Sequence, residues 1–408
     1  MSMKSKNLAS WVIVLTMGMV AAAGASRADS VPEPKPLATV EDLPHDARLA
    51  LYEAQLRIEE GKVDQAAERL AKWCGDRAGK DDSYLIRYQL ASLYSQLDRP
   101  DDAHANFERT VALESRYAPA WIGLGETAYR LQQYSRAAEA LERGFGLLDS
   151  PRPEVLYFAA AARVLAGDAA RAIAPLEELT GGRYGEPRFE WYRGLVSACI
   201  QAKDGERGQR AVDGLIDRFG DNPEAWNLMF QYAAGFGDYQ QAAVALSAKS
   251  YLKPLTRQEQ IQLGDLYSAI DAPAAAAEWY ARATADSAST REAERLATAY
   301  LASHQLGEAR GVLERSVATA PTYRLWSLLG DLNVMEKRYA DGYQAFSQCA
   351  RLSPEEGRPY LLMGYCALEA GRFDDAVASL AAAASHDDLA ERAQALLRRA
   401  EKARTATP

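Results

Sequence analysis

The sequence is poor in the side chains on which most enzymes depend. Its four histidines, His45, His104, His304 and His386, are scattered, and no HExxH, GxSxG or lysine-bearing phosphate loop occurs. Four cysteines (Cys74, Cys199, Cys349, Cys366) show neither a CxxC pair nor metal-ligand spacing. Carboxylates such as Glu53, Glu59 and Glu60 are close in sequence, but among so many acids they read as a solvated helix face. The glycine-rich stretch from Thr180 to Pro187 lacks both the Lys-Ser/Thr ending and the preceding strand of a phosphate cradle, so it reads as a connecting loop. No catalytic, cofactor-binding or metal-binding residue is expected, and the chain does not read as an enzyme. Excess positive charge is missing as well. The formal net charge is −9, which argues against general nucleic-acid binding, where phosphates must be neutralised.

Long apolar runs are absent except at the start. Lys4 and Lys6 precede the apolar run Leu8 to Gly24, and small residues follow at Ala23-Gly24-Ala25 and Ser26-Arg27-Ala28. That order is the signature of a secretory signal over residues 1–28, cut after Ala25 or Ala28. The other account, an uncleaved anchor, needs a span of roughly 20 apolar residues, for which this run is short. No cysteine follows to carry a lipid. Cleavage removes Lys4, Lys6 and Arg27 and no acid, giving −9 − 3 = −12 for the mature chain. The expected location is periplasmic or secreted, with no stable membrane insertion. In such a compartment Cys349 and Cys366 could pair, or all four cysteines could be buried free thiols. Residues 29–46, with Pro32, Pro34, Pro36 and Pro44, read as a linker.

What the sequence does contain is a recurring pattern, clearest from Ala118 to Pro151. Trp121, Leu124, Gly125 and Ala128 step by three and four, the helical period, and so do Ala137, Leu141 and Gly144 beyond a break at Gln132-Gln133. Gly125 and Ala137 bury little themselves. They fit a close crossing of two helices that a larger side chain would force apart. The small residue recurs at Ala66, Ala103, Ala137, Ala172, Gly208, Ala242, Ala276, Ala309, Gly342 and Ala376. Four residues beyond each stands a large one: Leu70, Phe107, Leu141, Leu176, Val212, Leu246, Tyr280, Leu313, Phe346 and Leu380.

This pattern, at spacings of 33 to 37 residues, resembles the tetratricopeptide (TPR) repeat, a helix–turn–helix of 34 residues. The resemblance implies an all-α, right-handed superhelical solenoid of about ten repeats over residues 47–390. The first repeat is polar at Glu53 and Arg57, as suits an end. The fifth departs at Gly208. Residues 391–408 read as a capping helix and tail, with Ser385 and Asp388 as a capping-box pair and a basic face of Arg392, Arg398, Arg399, Lys402 and Arg404.

The resemblance also implies function: a protein–protein interaction scaffold whose first helices line a concave groove for a partner protein or peptide. Among exported bacterial members this commonly means envelope assembly, polysaccharide export or secretion. In the register of the motif the groove is expected to hold Tyr88, Ile122, Tyr129 and Tyr157, with Val164 near by. For Tyr129 simple packing between neighbouring helices is an equal account. Arg291, Arg324 and Arg358 fall at one equivalent position near the start of the last three first helices, where the helix dipole mildly opposes a cation. Such a row would suit an anionic polysaccharide or a carboxylate-bearing peptide. The plainer account pairs these arginines with acids such as Glu294 and Asp331. The Lys/Asn carboxylate clamp of chaperone-type members is not implied, because its positions include Leu51, Gln55, Tyr88 and Ser92.

Overall fold

The structure is a computed structural model that describes residues 37–76, 82–285 and 287–406. The expected signal and residues 29–36 of the linker lie outside the described residues. Ten helix pairs follow one another. They are α1 (His45–Glu59) with α2 (Val63–Asp76), α3 (Tyr84–Gln96) with α4 (Pro100–Leu113), and α5 (Ala118–Arg130) with α6 (Tyr134–Gly146). Next come α7 (Pro153–Leu165) with α8 (Ala169–Thr180), α9 (Phe189–Ala202) with α10 (Gly205–Phe219), and α11 (Pro223–Phe236) with α12 (Tyr239–Leu252). The last four are α13 (Arg257–Ala269) with α14 (Pro273–Ala283), α15 (Thr290–Ala302) with α16 (Leu306–Thr319), α17 (Tyr323–Met335) with α18 (Tyr339–Leu352), and α19 (Gly357–Glu369) with α20 (Phe373–Ala383). A final helix, α21 (Ala390–Ala406), closes the stack.

Both sequence columns lie in the core. Every one of the ten small residues and every one of the ten large residues beyond them is buried. The close crossing is equally plain. A Cβ added to Gly125 would stand 2.5 Å from the Leu141 side chain and 3.0 Å from the Ala137 carbonyl, and one on Gly330 would stand 2.5 Å from Phe346. Gly208 is no defect in the fifth repeat. Its missing side chain makes room for Tyr232 of the next first helix, whose hydroxyl donates to the Gly205 carbonyl at 2.7 Å.

A third column emerges only in three dimensions. Five residues before each small residue the backbone turns left-handed: at Gly61, Asp98, Gln132, Gly167, Lys203, Gly237, Asp271, His304, Lys337 and Gly371. This single residue ends each first helix. The next N–H then bonds back to the helix, as from Gln133 to the Ala128 carbonyl at 2.8 Å, so each turn is capped by its own backbone.

The ends differ from the sequence expectation in detail. Helix α1 starts at His45, inside the stretch read as linker, because Pro44 supplies an entry without needing a helical N–H donor. The chain before it packs on the first two repeats, with Leu43 against the core and the Ala38 carbonyl accepting from the Tyr84 hydroxyl at 2.7 Å. Glu53 takes an ion pair from Arg69, so the polarity of the first repeat is internal to it. At the other end α21 does cover the last repeat, burying Ala393 and Ala400 against the Leu380 cluster. Its start is not the expected capping box: the Ser385 hydroxyl donates back to the Ala382 carbonyl at 2.7 Å, and the helix begins at Ala390. Part of its basic face is spent on the solenoid, through Arg399 to Glu369 at 3.0 Å and Arg404 to Asp374 at 3.6 Å.

Candidate functional site

Adjacent first helices touch one another directly, α3 with α5, α5 with α7, α7 with α9, α9 with α11 and α15 with α17. Adjacent second helices do not approach as closely. The stack therefore curves with its first helices on the inner, concave side, and residues on their free faces line it.

The expected groove residues do not share one fate. Ile122 is only 5% exposed and packs with Leu141, Val155 and Ala159, so it belongs to the core between the third and fourth repeats and not to the groove. Val155 and Ala159, on the following first helix, close over it. Tyr88 is half-buried, with its ring against Phe107 and edge-on to Tyr117 at 5.1 Å. Tyr129 is exposed beside Tyr134 at 5.4 Å, a local contact within its own repeat. Tyr157 is the one that opens onto a cleft.

That cleft, of about 310 Å³, runs between α7 and α9 over α8 and is lined mainly by apolar groups: Tyr157, Ala161, Val164 and Leu165, with Leu176 at its base and Gly194 opposite. Phe158, next to Tyr157, is 51% exposed, and so is Leu165 one side of the cleft away. Phe158 has no counterpart among the expected residues. Its signal was available, because it lies seven residues before Leu165 on the same helix face.

A second cleft, of about 460 Å³, lies between α13, α15 and α17 and carries charged side chains on its walls. Arg291, Arg295 and Arg324 line it with Glu294, Thr298 and Ser268. Of the expected arginine row, two members meet here. The third, Arg358, stands 3.9 Å from Asp331. Burial raises the Asp331 carboxyl above its ordinary value, opposed by the nearby charges of Arg358 and Arg324. Glu294 accepts from the Thr322 hydroxyl at 3.1 Å, and Arg295 pairs with Asp265 at 3.3 Å. Among the described residues Arg291 has no ion-pair partner within 4 Å, so the plain pairing account fits Arg358 and not Arg291.

The row belongs to a longer trend. The second residue of each first helix is Glu in the fourth to sixth repeats (Glu154, Glu190, Glu224), Gln258 in the seventh, and Arg in the eighth to tenth. Glutamate there is favoured by the helix dipole and arginine opposed, each by about 0.3–1 kcal/mol. The inner edge thus reverses its charge along the solenoid.

The remaining titratable groups do not converge. His304 is a left-handed turn residue, His386 packs against Gly357, and His104 is buried with Nδ1 3.2 Å from the Thr127 hydroxyl. Among the described residues no three His, Cys, Asp or Glu side chains are placed to hold a metal ion. All four cysteines are buried free thiols, and burial pushes Cys74 up to about 11 and Cys199, Cys349 and Cys366 up to about 12. Among the described residues no helix is long and apolar enough to cross a membrane.

Models of the tetratricopeptide repeat match residues 88–146, 294–356 and 334–400. No curated protein matches the chain. Similar solved structures include a tetratricopeptide repeat protein from Parabacteroides merdae, 11% identical over 62% of this chain and 98% of that one, with a TM-score of 0.38. The C-terminal part of a repeat-containing protein from Cytophaga hutchinsonii is 12% identical, over 67% and 97% of the two chains, with a TM-score of 0.40. PilW, a type IV pilus biogenesis factor, is 16% identical over 51% and 98%, with a TM-score of 0.35. Ten helix pairs in a single register and three stretches that match the repeat's own models lead to one conclusion: the chain is a tetratricopeptide repeat protein.

Proposed function

We propose that this protein is an exported scaffold that holds a segment of a partner protein in its concave groove, serving envelope assembly, polysaccharide export or secretion. The observation that carries the reading is the cleft between α7 and α9. Tyr157, Val164 and Leu165 line it and Phe158 stands beside it, large apolar groups left partly open where the stacking of repeats does not bury them. Such groups anchor interfaces, each contributing up to a few kcal/mol. Export rests on the charged, apolar, small-residue order of residues 1–28 and fixes the compartment in which the partner is met.

The experiment is capture of partners from a cell-envelope extract, followed by affinity measurements on the purified partner. Tyr157→Ala should weaken binding about tenfold or more, with little dependence on salt. Full affinity in that variant, with folding intact, would remove the groove from the account. Export is checked by intact mass: the mature chain should begin at Ser26 or Asp29.

One observation favours a second reading, an anionic-polysaccharide-binding protein: Arg291 and Arg324 converge on one cleft at positions the helix dipole disfavours. Under that reading an acidic glycan such as alginate binds directly, and replacing Arg291, Arg324 and Arg358 with Ser abolishes it.

A further inference from the structure

Gly194 differs from the glycines that the crossing of paired helices requires. At Gly125, Gly264 and Gly330 an added Cβ would stand 2.5 Å from a core side chain, so glycine is needed for the helices to pack. At Gly194 the nearest atoms would be Leu176 Cδ2 at 3.2 Å and Tyr157 Cε2 at 3.3 Å, a squeeze of a few tenths of an ångström against side chains that face a cleft. Glycine inside a helix costs roughly 1 kcal/mol relative to alanine. The crowding here is milder than at the crossing glycines. What the missing side chain does leave is the open wall of the cleft between α7 and α9.

The rim of the same cleft carries Arg193. Neighbouring arginines are committed: Arg163 to Glu142 at 2.7 Å and Arg188 to Glu154 at 3.0 Å. Arg193 is exposed, and among the described residues it has no acid within ion-pair distance. An apolar hollow with room for a large side chain therefore lies beside an uncommitted guanidinium.

From this we infer the chemistry of the partner: an extended peptide that places one large apolar side chain, of the size of Leu or Phe, into the cleft opposite Gly194, with an Asp or Glu next to it for Arg193. The inference rests on the concave-groove reading and adds its specificity. Gly194 makes the hollow, Leu176 its base and Tyr157 its wall. Arg193 selects the flanking charge.

The test uses a library of random heptapeptides displayed on phage, panned on the full-length mature protein, on three variants at the cleft and on one with Arg291→Gln and Arg324→Gln. Wild type should enrich sequences with Leu or an aromatic residue adjacent to Asp or Glu. Gly194→Leu fills the hollow and should lose that enrichment at least tenfold while folding with close to wild-type stability. Gly194→Ala, which adds a single methyl group, should lose part of it and covers the case in which the leucine variant does not fold. Arg193→Glu should retain the apolar residue and exchange the acidic neighbour for Lys or Arg. Equal enrichment on wild type and on both Gly194 variants would overturn the inference, as would an unchanged flank on Arg193→Glu or no enriched peptide at all. Enrichment of acidic peptides that depends on Arg291 and Arg324 but not on Gly194 would overturn the cleft and leave the interaction reading standing. Full binding of the captured partner to Tyr157→Ala would fell both.

Discussion

The cleft between α7 and α9 and the cleft between α13, α15 and α17 both open on the inner side of repeats built the same way, yet they differ in the charge they present. One is walled by Tyr157, Val164 and Leu165, the other by Arg291, Arg295 and Arg324. Around them the small residue, the large residue four positions on and the left-handed turn five positions before hold through all ten repeats. Positions that make a helix pair are held by sterics to one size class. Positions on the inner face that stacking leaves open are free of that constraint, so differences between repeats there are where a ligand would be selected. Function in a repeat protein is legible where the repeats disagree.

The sharpest way to break that comparison is to place the same large side chain at a core glycine and at the cleft glycine. Gly330→Leu should drive a branched side chain into Phe346 and cost about 3 kcal/mol, with hydrogen exchange loosened first in the adjoining repeats. Gly194→Leu should cost no more than about 0.5 kcal/mol, because helix propensity gained offsets local crowding. Urea denaturation of both variants checks this. Similar losses in the two would mean the cleft is ordinary core.

These two glycines also mark how far the sequence could be read. The columns were legible because each small residue and its large partner recur in register, and sterics allow little else. The groove was not. Tyr88, Ile122 and Tyr157 each stand three residues before the small position of their own first helix, so one sequence rule placed all three in the groove. Their exposure is decided by a neighbour far away in sequence. Val155 and Ala159 close over Ile122, Phe107 and Tyr117 crowd Tyr88, and Gly194 leaves Tyr157 open. Likewise the arginine row was visible as a column, but that Arg358 is held at Asp331 while Arg291 and Arg324 meet in a cleft follows from the curvature of the stack.

The charged cleft should answer to salt where the apolar one does not. Arg291→Gln with Arg324→Gln should reduce affinity for an acidic ligand about tenfold at low ionic strength, and the difference should shrink as salt screens it. Tyr157→Ala should act equally at low and high salt. Isothermal titration at two salt concentrations separates them, and a salt-independent effect of the arginine pair would place their role in folding.

Smaller effects test the turn column that both regions share. Lys337 adopts a left-handed conformation at φ 59°, which costs a side-chain-bearing residue roughly 1–2 kcal/mol, so Lys337→Gly should stabilise the protein by about 1 kcal/mol. Gly371→Ala, at φ 73° in the equivalent turn, should destabilise it by a similar amount. Thermal melting reads both. The least change is expected at the thiols. With burial holding their acidities near 11 to 12, all four stay neutral at pH 8 and should resist alkylation in the native protein, then react together on unfolding. Two unreactive thiols after denaturation would mean that Cys349 and Cys366 are paired.

A segment held in the groove must lie against the first helices. Hydrogen exchange of the full mature chain, with and without a peptide selected on the wild-type protein, reads this at each helix. Slower exchange is predicted at residues 153–165 and 189–202, the first helices flanking the cleft, with the second helices on the outer side unchanged. Protection confined to the second helices, or equal protection in the Gly194→Leu variant, would contradict it.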